Sequence, residues 1–218
     1  MMHAKSPEPG STLNPADPQA CPQATRTTRA GPTTRSTVGS RHCDLYCGCV
    51  TRALRLVLTG AIAGVLGTFA MDLVWYRRFR AGGGSQRFVA WETSEGTESF
   101  ENAAAPARTA KVVAEFAGID LPDGTARAVN NAVHWTTGIG WGKAHGLAAS
   151  ILGTTNPLLG LVTGVIAWAT SYAVLPRLGV YQPMSEYDRD VLWQDLSAHL
   201  VYGAVVGITV RLLAGQRR

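Results

Sequence analysis

Charge is missing over a long stretch of this chain. Between Ala144 and Pro176 the only side chain that titrates near neutral pH is His145. That span is long enough to cross a hydrocarbon layer about 30 Å thick more than once, and soluble domains rarely read this way. Cysteine is absent beyond Cys49. Cys21, Cys43, Cys47 and Cys49 all precede the first apolar segment, and their C-x3-C-x-C spacing, with only His42 nearby, is no standard zinc pattern. No metal site is therefore expected. Also lacking are H-E-x-x-H, a nucleophile motif and a glycine-rich phosphate loop, so neither a hydrolase nor a transferase finds support and no enzyme is expected. The net charge of +5 does not imply nucleic acid, because the basic residues cluster beside apolar segments. Anionic lipid headgroups are the expected partner.

What remains is a tail followed by a membrane domain. Residues 1–50 are rich in Pro, Ser, Thr, Gly and Arg with almost no apolar periodicity, so they bury too little surface to offset ordering entropy and are expected to be disordered. Val38 or Val50 is an alternative start, should a bacterial GTG codon have been read as valine. Residues 51–218 form the membrane domain, all-α, with four expected transmembrane helices at about 56–76, 128–152, 158–175 and 192–213. The first follows Arg52 and Arg55 and ends in Trp75, Tyr76, Arg77 and Arg78, an interfacial aromatic pair followed by cations. An extramembrane loop spans 77–127, with acids at Glu92, Glu95, Glu98 and Glu101 and a short surface helix expected from Pro106 to Phe116 before Gly118. The second helix is the least apolar. It joins the third through the turn Gly153 to Pro157, and Pro176 stops the third. Four crossings put both termini on one side; Lys and Arg flank both faces in similar numbers, so the orientation stays open.

The helices repeat a pattern. Asn130, His134, Gly138 and Gly142 align with Asp195, His199, Gly203 and Gly207, while Gly60 and Gly64 align with Gly160 and Gly164. Two tandem hairpins related by an axis along the membrane normal are expected. Each helix carries G-x3-G, which lets backbones approach closely and leaves homo-oligomers open.

Asn130, His134 and His145 fall within one arc of the second helix, Asp195 and His199 lie one turn apart on the fourth, and Asp72 sits on the first. Ionisable groups in lipid are costly, so these six should face one another or water. Three readings of the polar layer stay open. It fixes helix register, it carries protons or ions, or His134 and His199 clamp a haem between two imidazoles.

The segments Asn131 to Trp135 and Asp195 to Leu200 resemble the paired histidine helices of the YagU-like inner-membrane proteins. The stretch from Gly60 to Arg211, including Ala70 to Arg77 and Leu192 to His199, resembles uncharacterised actinobacterial membrane proteins. The YagU resemblance covers roughly the final ninety residues and implies a multi-pass protein of a bacterial plasma membrane. Through that family's link to acid tolerance, it also implies proton or ion handling under acid stress. The tail and the acidic loop with Trp91 and Glu92 depart from the YagU pattern.

Overall fold

The computed structural model describes residues 37–215, which are helical with no strand among them. The helices are α1 (Thr37–Ala81), α2 (Phe88–Glu92), α3 (Ala105–Phe116), α4 (Ala126–Ile151), α5 (Leu158–Val174) and α6 (Arg189–Gly215). Residues 1–36 of the tail expected to be disordered lie outside the described residues, but α1 begins at Thr37 and takes in the rest of it. Extending an existing helix fixes one residue per added hydrogen bond, so a weakly helical flank follows a strong membrane segment at little cost.

Three helical stretches are long and apolar enough to cross a membrane, Val50–Ala81, Leu158–Leu178 and Arg189–Gly215. α4 is not among them, because Arg127, Asn130, Asn131, His134, Lys143 and His145 dilute its apolar content. The outer surface of α1 is a stripe of exposed Leu54, Leu58, Ile62, Leu66, Phe69 and Leu73. Its inner surface holds Gly60, Ala63, Gly64 and Thr68. Large apolar side chains outside and small ones inside suit a lipid solvent, where close backbone packing holds helices together.

α1 lies antiparallel to both α4 and α6, and α5 lies antiparallel to α6. Gly60 and Gly142 meet so closely that a Cβ on Gly142 would stand 2.2 Å from the Gly60 carbonyl oxygen. In the other pair a Cβ on Gly160 would stand 2.1 Å from the Gly203 carbonyl oxygen. Between these pairs, Leu56 and Ala63 of α1 pack with Tyr202, Val206, Val210 and Ala214 of α6. Arg55 donates to the Ala214 carbonyl at one end of that seam (3.1 Å), and Arg78 reaches the Gln194 carbonyl (2.6 Å) and Ser197 Oγ (2.7 Å) at the other.

Both long connections therefore gather at one end of the bundle, where α1 and α5 finish and α4 and α6 begin. α3 packs there on α4 through Ala107 and Ala126, both fully buried beside Phe100 and Ala103. On α3, which covers the short surface helix expected from Pro106 to Phe116, Val113 and Phe116 stay exposed. α2 is fastened to α1 by rings: Phe88 meets Tyr76 edge-on at 5.1 Å and Trp91 lies 5.4 Å from Tyr76.

Candidate functional site

At this end of the bundle a cavity of about 330 Å³ opens between the helices, lined in part by His134, Asp195, His199, Tyr181, Thr68 and Ser171. Its two histidines come from different helices that run in the same direction. Their common depth follows from a cross-link one turn further on, where the Tyr202 hydroxyl of α6 donates to the Gly138 carbonyl of α4 at 2.6 Å.

Each histidine has its own carboxylate. Nε2 of His134 lies 3.1 and 3.0 Å from the two oxygens of Asp72, a side chain only 4% exposed. Nδ1 of His199 donates to the Asp195 carbonyl at 3.0 Å and lies 3.4 Å from its carboxylate. Such pairs orient the rings and let a proton reside on the imidazole or leave it. The bis-imidazole clamp, one of the three readings left open by the sequence, would first require the Asp72 pair to break, since that carboxylate holds Nε2 of His134.

The other candidates serve elsewhere. His145 is 2% exposed and its Nδ1 lies 2.9 Å from Thr163 Oγ1, whose own hydroxyl donates to the Leu159 carbonyl at 3.0 Å. The hydroxyl proton is thus spent, Nδ1 must be the donor, and the bond ties α4 to α5. Asn130 holds the loops: its amide donates to Ser94 Oγ at 2.8 Å and its oxygen accepts from the Ala107 backbone at 3.4 Å. The eight glycines make helix contacts, with Gly138 leaving room for the Thr68 hydroxyl on α1.

Two residues at the cavity end went unassigned in the sequence. Glu92, at the end of α2, comes down beside the Asp72–His134 pair, so that one ligand-type atom from each of the three lies within 4.8 Å of the others. Burial and then the Asp72 charge push its carboxyl up to about 7, against the opposing pull of His134. Its Oε1 atom is buried and accepts no hydrogen bond. Nothing in the sequence separates Glu92 from Glu95, Glu98 and Glu101 except the aromatic Trp91 before it. Tyr181 lies in the loop after α5 and lines the cavity wall. Burial, then the charge of Asp195, raise its phenol to about 12, so it faces the cavity as a hydroxyl.

No protein-family model matches the chain, and neither a curated protein nor a solved structure is detectably similar to it.

Proposed function

We propose that the protein is a four-span membrane protein of the bacterial plasma membrane that handles protons or ions through the cavity between α4 and α6, in keeping with the acid-tolerance link of the YagU-like resemblance. One observation carries this reading. Two histidine–carboxylate pairs, Asp72–His134 and Asp195–His199, meet at one cavity, with His134, Asp195 and His199 in its lining, in a bundle of which three helices are apolar enough to cross a membrane. Purely structural polar groups are expected to be sealed between helices, as His145 is with Thr163. His134, Asp195 and His199 instead border open space, where a proton or ion can exchange.

α4 is the fourth span in this reading. Its glycines pack on α1 over the same depth, and the bundle buries Asn130 and His145, while Lys143 stays exposed. The two glycine-packed pairs, α1 with α4 and α5 with α6, are read as the duplicated hairpin. Anionic lipids are the surrounding partner, contacted by the arginines at the helix ends.

The test is flux into proteoliposomes under an imposed pH gradient, with a pH-sensitive dye inside. Wild type is expected to dissipate the gradient and His199→Leu to lose that activity, while Thr163→Val, outside the cavity, keeps it. A wild-type protein that moves neither protons nor monovalent cations overturns the reading.

A further inference from the structure

We propose that Asp72, Glu92 and His134 bind a single divalent transition-metal ion at the loop end of the bundle, beside the cavity that His134 lines. The proposal takes its setting from the ion-handling reading and names the ion class for which this corner is built. Three elements contribute one residue each: α1 supplies Asp72, α2 Glu92 and α4 His134, with a donor-type atom of each inside a 4.8 Å spread.

Once Glu92 gives up its proton, the two carboxylates can only accept hydrogen bonds, and their contact is repulsive unless something positive lies between them. His134 supplies at most one positive charge, held on Nε2 against Asp72, and an ion bound at that nitrogen takes the place of its proton. Glu92 Oε1 is left buried with no donor at all. A divalent cation answers both conditions, balancing two negative charges and giving the orphaned oxygen a partner. One imidazole nitrogen with two carboxylate oxygens suits Zn²⁺, Mn²⁺, Fe²⁺ or Co²⁺ better than Ca²⁺, which prefers six to eight oxygens. Three protein ligands leave a coordination position open.

Glu92 is held by more than its helix. The residue after it, Thr93, accepts at its carbonyl from Arg127 Nε at 2.9 Å and from Asn131 Nδ2 at 3.0 Å. Ser94 keeps a left-handed backbone, φ 52°, while its hydroxyl accepts from Asn130. Support of this kind sets a ligand in place before the ion arrives.

The experiment uses the full chain with its four cysteines replaced by serine, purified in mild detergent, stripped with EDTA and titrated with Co²⁺. Visible d–d absorption and atomic emission are read together. One Co²⁺ per chain is expected, displaced by Zn²⁺. Glu92→Gln should weaken binding by about tenfold or more, and Glu95→Gln should leave it unchanged. Circular dichroism on Glu92→Gln, whose side chain sits in a loop helix, separates lost ligation from lost folding. No stoichiometric Co²⁺ in the wild-type site, or equal affinity in Glu92→Gln, overturns the proposal and makes the two carboxylates a proton-sharing pair. Binding is read in detergent and flux in vesicles, so the two failures are distinct. Flux without a bound ion removes the metal site alone, whereas a bound ion without flux removes the conduction reading alone.

Discussion

His134 and His145 share one stripe of α4, but their surroundings give them different work. His134 borders the cavity and meets a carboxylate, while His145 is sealed against α5 with Thr163 as its acceptor. Thr163→Val keeps the shape and removes that acceptor, leaving a buried N–H unpaired. The expected loss is about 1–3 kcal/mol, measured as a lower midpoint in thermal or SDS unfolding in detergent, with flux unchanged. A stability equal to wild type would mean that water replaces the hydroxyl and that α4 and α5 do not depend on this bond. At this scale the sequence was half legible. A 100° arc shows which polar residues share a side of a helix, and it found Asn130, His134 and His145. It cannot show what each one meets. Asp72 lies 62 residues from His134 in sequence, and Glu92 reaches them only because the rings of Phe88 and Trp91 dock α2 on Tyr76.

Whole helices were easier to read, because apolar length and turn residues act locally. α4, α5 and α6 begin and end within three residues of the expected 128–152, 158–175 and 192–213. Their contacts follow a finer rule than the aligned motif. Gly142 meets Gly60, and on the other side of the bundle it is Gly203, not Gly207, that meets Gly160 through its carbonyl. The H-x3-G-x3-G alignment pairs Gly142 with Gly207, so the packing of the second pair is shifted by one turn. Sequence similarity marks where backbones can approach; side-chain volume around them decides which turn does. Gly142→Ala tests how tight that approach is. The new methyl would meet the Gly60 carbonyl oxygen and, at 2.6 Å, the Gly64 Cα, both backbone atoms that cannot swing aside. Helices α1 and α4 must then separate, at about 1–3 kcal/mol. Loss of thermal stability in detergent reads the effect, and Gly140→Ala, with open space around its Cα, is the control expected to change nothing.

At the scale of the molecule, the question left by composition is whether α4 crosses the bilayer. Hydropathy alone counts three spans, since it averages over a helix whose polar side chains are partly buried by its neighbours. With three crossings, the loop after α1 and the loop after α5 would lie on opposite sides of the membrane. If α4 also crosses, both loops fall on one side and the Gly153–Pro157 turn on the other. Exposed Glu98, Asn156 and Gln182 sample these three places. Single cysteines at each, introduced one at a time into a chain without native cysteines, can be labelled in intact cells with a membrane-impermeant maleimide. Glu98→Cys and Gln182→Cys should behave alike and Asn156→Cys oppositely. That result would put the Asp72–His134 pair, the cavity beside it and the acidic loop at one membrane face, where Glu92 at the end of α2 can meet the aqueous phase. Opposite labelling of Glu98→Cys and Gln182→Cys would instead take α4 out of the bilayer, and with it the cavity as a path between two compartments.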